Sequence, residues 1–512
     1  MLVVLVAVAL NIPAVQNFVK DKAITFLKKK TNTEVRLESI KIALPKDVVL
    51  NKFYIEDLKK DTLLYAEKLS VDINLFKLIS NKVEINNITL KKIRANVTRI
   101  NPDTSFNFSF LVDAFMSEEK KPEEEVEKDT TSTLKFSIDK VNFEDIGIVY
   151  RDDVAGNDAR VYLGEFTAKL KKFDLNNQHY VIKTLSLENT SLKYLQQKPL
   201  TQLAAHLEKS VDSAAAEAGK LPLIEVEDFD FKKIKIGFND QISGMAADVD
   251  LNALELNKLF VDLTKSNYKV EDAKINNTKI NFNSAANKAN VALGELSLTK
   301  LLADVTTGKY EVGDANLSKS NVLFAMKPVK APKKSPEADT AVAVGLLSLT
   351  VGKVNLSDNN IQFDNIGTKP VKGMDFNHMK INDLTLVAEA IGYSDQGMKV
   401  NVKEGRFKEK SGFQLNRLEG EVVYSDKAIR VNNLVVKTPN TSIENNTALD
   451  YTSMEDLTKH PERVKISMNI KNTTIGLKDA TYFSDAIPAA YRNEKININA
   501  NASGYMNNLS VP

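Results

Sequence analysis

The residues of this chain whose types and spacing could do chemistry are apolar, and they alternate with polar ones. Leu69, Val71 and Ile73 alternate with Ser70 and Asp72, so the predicted strand has one apolar face and one solvated face. Such a face could take an acyl chain out of water, or it could close on a second face as a sandwich core. If it forms a groove, we predict that the following residues line it: Leu69, Val71, Ile73, Leu75, Val83, Ile85, Val141, Phe143, Ile280, Phe282, Val354, Leu356, Ile361 and Phe363.

Residue patterns typical of enzymes and metal sites are missing from the sequence. It has no P-loop, no G-x-G-x-x-G, no G-x-S-x-G and no Cys. Four histidines lack the spacing of metal ligands: His179, His206, His378 and His460. Asp145, Asp152 and Asp153 lack the spaced ligands and central Gly of a calcium loop, so we expect a solvated turn there. We therefore expect no catalytic residues, no cofactor and no metal.

Charge and length limit the classes of partner and of fold. Lys and Arg total 69 and Asp and Glu total 67, which gives a formal net charge of +2 with the two signs interspersed. This pattern argues against a nucleic-acid partner. A chain of 512 residues exceeds the roughly 250 to 300 residues at which a single core stops growing, so it forms several domains or one repetitive body.

The chain begins with an uncharged apolar run from Met1 to Leu10 that Asn11 and Pro13 interrupt. A membrane-spanning helix needs about 20 apolar residues, so two interpretations stay open. The run is the inner part of a signal anchor whose first turns are missing, or it belongs to a buried helix of a soluble domain. In the first case the anchor residues are Leu2, Val3, Val4, Leu5, Val6, Val8 and Leu10.

A helix is predicted directly behind this run, over Ala14 to Lys30. Apolar residues recur there at helical spacing: Val15, Phe18, Val19, Ala23, Ile24, Phe26 and Leu27. We expect this helix to be amphipathic and membrane-proximal. Its last turn, Lys28 to Lys30, is a solvated helix end or contacts lipid headgroups.

Nearly all of the remaining chain alternates as strands do. If a strand and its turn take about 11 residues, on the order of 35 strands follow the helix. The doublets Asn86-Asn87 and Lys91-Lys92 each predict a bulge or tight turn. We predict a mostly β fold, an extended, curved, mainly antiparallel sheet.

Three polar segments punctuate the predicted strands. Ser117 to Thr133 and Lys327 to Asp339 are charged and contain Pro, which predicts disordered loops, and Leu200 to Ala218 predicts a short helix. Similar motifs lie between them: VNFEDIGIVYRDD at 141–153, FDFKKIKIGFND at 229–240 and VNLSDNNIQFDN at 354–365. The predicted organisation is an anchor remnant and helix at 1–30, a β region at 31–116, a loop at 117–133, a β segment with a helical insertion near 200–218 at 134–326, a loop at 327–340, and a β segment at 341–512 that is truncated at its carboxyl end.

About 100 residues near the amino terminus resemble a known family. The helix NIPAVQNFVKDKAITFLKKK, the strand pair ending in IEDLKKDTLLYAEKLSVDI and the step LFKLISNKVEINNITL are similar to the start of the AsmA-like superfamily. Within it, the likeness is to the translocation and assembly module (TamB) proteins of the Bacteroidota type. Two features depart from that pattern, because the family's anchor is longer than Met1 to Leu10 and its carboxy-terminal domain is not recognisable before Pro512. We therefore expect an amino-terminal fragment.

The resemblance implies a function for the predicted groove. It implies a protein anchored in the inner membrane, with a periplasmic β-sheet that forms a U-shaped groove and carries the acyl chains of phospholipids toward the outer membrane. The alternative that it leaves open is a scaffold that assists assembly or translocation of outer-membrane proteins by strand addition. Binding of an outer-membrane assembly partner would need the carboxy-terminal domain.

Overall fold

The computed structural model describes residues 12–43, 47–73, 82–103, 105–116, 135–174, 177–198, 221–328 and 347–510. Strands account for 68% of the described residues and helices for 10%. The prediction of a mostly β fold, with a curved, mainly antiparallel sheet behind an amino-terminal helix, is confirmed. The chain divides into two compact units, Met1–Thr264 and Lys265–Pro512, and this division falls inside the predicted segment 134–326.

The first unit contains two helices and the first strands of the chain. Its elements are α1 (Pro13–Thr31), β1 (Val35–Arg36), β2 (Ser39–Ala43), β3 (Asp47–Glu56), β4 (Thr62–Ile73), β5 (Lys82–Arg99), α2 (Ser109–Met116), β6 (Lys135–Ile138), β7 (Lys140–Asp152), β8 (Asn157–Asp174), β9 (His179–Gln196), β10 (Leu223–Asp240) and β11 (Met245–Asp262).

The second unit contains the remaining strands and two single-turn helices. Its elements are β12 (Asn267–Asn283), β13 (Asn287–Asp304), β14 (Lys309–Ser318), β15 (Asn321–Met326), β16 (Ser348–Asn365), β17 (His378–Ser394), β18 (Gly397–Glu409), β19 (Gln414–Leu415), β20 (Arg417–Ser425), β21 (Ala428–Lys437), β22 (Ser442–Asp450), α3 (Asp456–Lys459), β23 (Lys465–Gly476), α4 (Leu477–Ala480), β24 (Lys495–Tyr505) and β25 (Asn508–Ser510).

Most strands pair antiparallel with the next strand in sequence, but at three places in the chain the pairing is parallel. β5 pairs parallel with β6 and β7, β9 with β10, and β14 and β15 with β16. In the second of these, His179 pairs with Leu223 and Gln196 with Asp240, so the chain must return over the length of the strand, roughly 60 Å, before β10 begins. A parallel pair needs such a crossover of a dozen residues or more, which explains why the long polar segments occur where they do.

The three similar sequence motifs lie in β7, β10 and β16, the strands that follow these crossovers. The predicted loop 117–133, the predicted helix 200–218 and residues 329–340 of the second predicted loop lie outside the described residues. Lys327 and Pro328 follow β15 without regular structure.

Helix α1 matches its predicted bounds within one residue at each end. Pro13 occupies the first turn, where its missing N–H costs nothing, and Asn32 ends the helix with φ 54° while its N–H donates to the Lys28 carbonyl. The helix lies against β1 and β2. Phe18 and Phe26 are 62% and 58% exposed, so the strands that the helix packs against do not cover these two side chains.

Left-handed residues recur in the middle of the long strands of unit 1, at one level of the sheet. They are Lys52, Lys92, Asp145, Asn189 and Lys233, with φ between 48° and 57°, and we call them the kink row. Lys92 of β5 faces Asp145 of β7, because the pairs on either side are Lys91 with Glu144 and Ile93 with Ile146. The pairing between strands therefore continues without a shift through the kink row. Along each strand, however, the side chains that share a face are three positions apart across the left-handed residue instead of two.

In β5, β7 and β10 the residue that follows the kink is buried on the inside of the bend. Ile93, Ile146 and Ile234 are 8%, 9% and 5% exposed, whereas Ile236 on the same face of β10 is 40% exposed. Burial at the kink and exposure away from it mean that the strands bend toward this face.

The two doublets that were predicted to be bulges or tight turns have different structures. Asn86-Asn87 is a bulge, since the register between β4 and β5 shifts there. Lys91-Lys92 holds a kink inside a continuous strand. Strands therefore run through positions that a pattern analysis counts as turns. The described residues form 25 strands, many of them 17 or 18 residues long, so the expectation of about 35 short strands is wrong.

Gly164 is required opposite the kink at Asn189. A Cβ at Gly164 would lie 2.7 Å from the Asn189 carbonyl oxygen, a backbone atom that cannot move aside without displacing the strand. We expect Gly164→Ala to lower the free energy of unfolding by about 1 to 3 kcal/mol, as overpacking does. Gly392→Ala is the matched control, because nothing lies within 4 Å of its Cβ position. Equal denaturation midpoints for the two variants would contradict this account of the kink.

Candidate apolar binding face

Residues on the bent-in side of unit 1 pair across the strands in apolar rows. The first inner row is Val48, Val71, Ile88, Val141, Ala168, Leu185, Phe229 and Leu256. The second inner row is Leu50, Leu69, Leu90, Phe143, Phe166, Leu187, Phe231 and Leu254. Beyond the kink row, the third inner row is Ile55, Leu64, Ala95, Ile148, Val161, Leu192, Ile236 and Val249. These rows contain no polar residue from β3 to β11.

Unit 2 has apolar rows of the same kind. The longest is Tyr268, Ala303, Tyr310, Leu349, Tyr393, Met398, Tyr424, Ile429, Leu449 and Ile466. A shorter row is Ile280, Val291, Val322, Ile361 and Ile381. With strands about 4.8 Å apart, the longest row covers roughly 40 Å. Each unit thus presents an apolar face whose rows run perpendicular to the strands.

The residues predicted to line a groove lie in these rows or pair beside them. Leu69, Val71, Val141 and Phe143 belong to the first and second inner rows, and Ile73 pairs with Ile85. In unit 2, Ile280 and Ile361 belong to the shorter row, and Phe282 and Phe363 share the row beside it. Leu356 pairs directly with Leu386, and Val354 pairs directly with Ala388. Leu75 and the side chain of Val83 lie outside the described residues.

The apolar face of unit 1 is open to solvent in the middle of the sheet. Leu192 and Ile236 pair with each other in the third inner row and remain 36% and 40% exposed. Tyr194 and Phe238, the next pair along the same strands, stack with ring centroids 5.7 Å apart. Large apolar side chains at the centre of a sheet are normally covered by a second layer. In the part of the chain that the structure describes, Leu192 and Ile236 have no such layer and stay partly exposed.

The opposite face of the same strands is polar. One row across it is Ser70, Thr89, Asn142, Thr167, Ser186, Asp230 and Glu255. Ion pairs join strands on this side, including Lys91 Nζ to Glu144 Oε2 at 2.7 Å and Lys233 Nζ to Glu188 Oε1 at 2.9 Å. The sheet therefore has one solvated face and one apolar face over its whole width in unit 1.

The sequence prediction missed many members of the inner rows. In β10 the apolar positions are Ile224, Val226, Phe229, Phe231, Ile234 and Ile236. The steps between them are two, three, two, three and two, and the step of three from Phe231 to Ile234 spans the kink at Lys233. A search for pairs of apolar residues repeated every five positions would have found them, whereas strict alternation finds only one half of each strand.

The acidic residues near the end of β7 stabilise a turn. Asp152 is 1% exposed, so the expectation that it lies in a solvated turn is wrong. Its carboxylate pairs with Arg99 and accepts hydrogen bonds from the N–H groups of Val154 and Ala155 at 3.0 and 3.1 Å. Burial opposes ionisation of Asp152, but the Arg99 guanidinium and these N–H donors outweigh burial and lower its pKa. Burial, together with the Asp152 charge, raises the pKa of Tyr150 to about 12.

Side chains that could bind a metal do not converge in the described part of the chain. It contains no group of three or more His, Cys, Asp or Glu residues placed to hold a metal ion. His179 contacts Glu225 at 2.7 Å, His378 contacts Asp364 at 3.5 Å, and His460 contacts Glu462 at 3.2 Å. His206 and the predicted anchor residues Leu2 to Leu10 lie outside the described residues. Among the helices that are described, none has the length and apolar character needed to cross a bilayer.

Comparisons with known proteins do not assign this chain to a family. No family model matches the chain, and no curated protein matches it significantly.

The Asp152 turn makes a pH-dependent prediction. The pKa of Asp152 is lower in the folded chain than its ordinary value of 3.8, so its stabilising effect is complete above that value and is lost as the pH falls through the folded pKa. At neutral pH we expect Asp152→Asn to lower the free energy of unfolding by about 2 kcal/mol. The difference from wild type should shrink in acid-titrated denaturation curves.

Asp153→Asn in the same turn is the control. Asp153 pairs with Arg151 at 3.0 Å, but Arg151 is 55% exposed, so loss of this ion pair should change stability far less than Asp152→Asn does. A pH-independent difference between Asp152→Asn and wild type would show that the charge of Asp152 is not what stabilises the turn.

Proposed function

We propose that this protein carries phospholipid by holding the acyl chains against its apolar face while the headgroup stays in water. The observation that carries the proposal is the continuity of the inner rows, which contain no polar side chain from β3 to β11 in unit 1. The exposed Leu192 and Ile236 leave apolar surface available for a ligand.

The energetics favour movement along the rows over binding at one point. Removing a 16-carbon chain from water gains on the order of 10 kcal/mol at about 0.8 kcal/mol per CH₂. Consecutive positions along a row offer nearly the same surface of Leu, Ile, Val and Phe, so a shift by one strand changes that gain little. Transfer then needs no covalent step and no enzyme activity.

The amino-terminal resemblance to AsmA-like and TamB proteins suggests where this activity operates. We propose an inner-membrane anchor ahead of α1 and a periplasmic β body that carries phospholipid toward the outer membrane. An open apolar face supports this class better than it supports a sandwich core. Helices α1 and α2 cover the third inner row at Ile55 and Leu64, but Leu192 and Ile236 in the same row remain exposed.

A scaffold for unfolded outer-membrane proteins is the second candidate, and the edge of β24 favours it. β25 pairs only with Ser503 to Tyr505, so the stretch from Lys495 to Ala502 has no strand on its outer side among the described residues. Its sequence, KININANA, alternates Ile or Ala with Asn and contains no Pro. Such an edge can accept an added strand.

A single charge in a row distinguishes the two functions. We expect Ile236→Asp and Ile280→Asp to reduce transfer of a fluorescent phospholipid between donor and acceptor vesicles by tenfold or more, since an unpaired carboxylate among apolar side chains costs several kcal/mol, roughly a tenfold rate change per 1.4 kcal/mol. Val71→Asp, in the first inner row, should act in the same way. The fold should persist because these side chains lie on an open face, and circular dichroism checks this.

Ser191→Asp is the matched control on the polar face of β9, where it lies opposite Lys235 of β10. It adds the same charge without entering a row. Transfer at the wild-type rate by folded Ile236→Asp and Ile280→Asp would refute the proposal and favour the scaffold, which offers many alternative contacts. Mass spectrometry of lipid that copurifies with the chain provides an independent measurement.

A further inference from the structure

The two helices of unit 1 are fixed on one small core. Val35, Ile55 and Leu63 are 0%, 5% and 5% exposed and form its centre. Leu27 of α1 and Leu111 of α2 both pack against it. Since a shared core fixes both helices, it also fixes which of their side chains face outward.

The outward sides of these helices carry large apolar residues. Phe18 and Phe26 of α1 are 62% and 58% exposed, and Val112 and Phe115 of α2 are 43% and 49% exposed. Phe18 and Phe26 are eight residues apart, so they lie about 12 Å from each other along the helix axis and within one quadrant of it. α1 and α2 contact each other, and we call the exposed sides of the two helices together the helix-pair surface.

The charge of α1 is strongly positive around these rings. The helix contains five Lys residues and one acidic residue, Asp21. Lys22 and Lys29 are exposed on the same side as the phenylalanines, and the Lys22 ammonium lies 5.5 Å from the Phe18 ring centroid. Long lysine side chains can lie along apolar surface and place their charge at the level of phosphate groups.

We infer that the helix-pair surface docks on a lipid bilayer that contains anionic headgroups. Exposed Phe residues between lysines on one side of a helix are the pattern that inserts at the boundary between headgroups and acyl chains, and basic residues there strengthen binding to anionic lipid. An acidic protein surface would pair with the lysines but would not account for the exposed rings of α1. The inference rests on the proposed function for its purpose: α1 lies against β2, β2 pairs with β3, and the first and second inner rows begin in β3.

Vesicle flotation with the full chain tests this inference. We expect the wild type to float with vesicles of phosphatidylcholine and phosphatidylglycerol, and to float less with phosphatidylcholine alone. Phe18→Ser with Phe26→Ser should reduce the floated fraction at least about fivefold, because the rings supply the insertion. Lys22→Gln with Lys29→Gln should abolish the preference for the anionic vesicles.

The matched control removes two exposed aromatic residues elsewhere. Phe376 and Tyr491 are 65% and 57% exposed in unit 2, so Phe376→Ser with Tyr491→Ser should float as the wild type does. Wild-type protein that stays unfloated with both kinds of vesicle, or equal flotation of the two double variants, would overturn the inference. Self-association that disappears only in the Phe18→Ser, Phe26→Ser variant, without flotation of the wild type, would assign the surface to a protein contact instead.

Failure of docking and failure of lipid carriage give different results. Lipid that copurifies with the chain is measured in solution, without vesicles. Ile236→Asp should lose this lipid and still float, whereas the Phe18→Ser, Phe26→Ser variant should keep the lipid and not float. Loss of both properties in both variants would contradict the separation of the two sites and overturn the inference.

Discussion

The structure depends on one constraint, which is that a strand must bend and still keep its apolar side chains on one face. In a regular strand the side chains alternate without interruption. A left-handed residue breaks the alternation, and a non-glycine residue in that conformation costs about 1 to 2 kcal/mol. Asp145 and Asn189 are residue types that tolerate it, whereas Lys92 and Lys233 are not, so the bend is imposed by the pairing of their neighbours.

Because the kinks of β3, β5, β7, β9 and β10 lie at one level of the sheet, their effects combine. Ile93, Ile146 and Ile234 follow kinks in three different strands, and all three are buried. The inside of the bend is therefore a packed apolar line with open apolar rows on either side of it. In unit 2 the residue after a kink is polar in some strands and apolar in others. Asn359, which follows the kink at Asp358, is polar, and its side chain accepts from Ser320 N–H at 3.0 Å and donates to the Leu317 carbonyl at 2.9 Å. The Asn359 amide thus bonds to residues on both sides of the break between β14 and β15.

The sequence predicts some levels of this structure well and others poorly, for physical reasons. Alternation identified the strand class, and helical spacing placed α1 within one residue of its bounds. The number of strands was overestimated because the Lys91-Lys92 doublet has the composition of a turn and the backbone of a kink. The burial of Asp152 was missed because its partner Arg99 is 53 residues away, joined to it only by the parallel pairing of β5 with β7.

At the apolar face, neighbouring residues predict which side chains are apolar-facing, but only the pairing of distant strands determines how they line up. Val71 and Val141 could each be assigned to an apolar face from their neighbours, but the row that contains them exists only because Val71 pairs with Ile88 and Ile88 with Val141. No local pattern specifies that register. A pocket needs a few residues in one place, whereas a row needs every strand to present an apolar residue at the same level. A surface built in this way has no single best position for a ligand, which suits an acyl chain that moves better than one that is held.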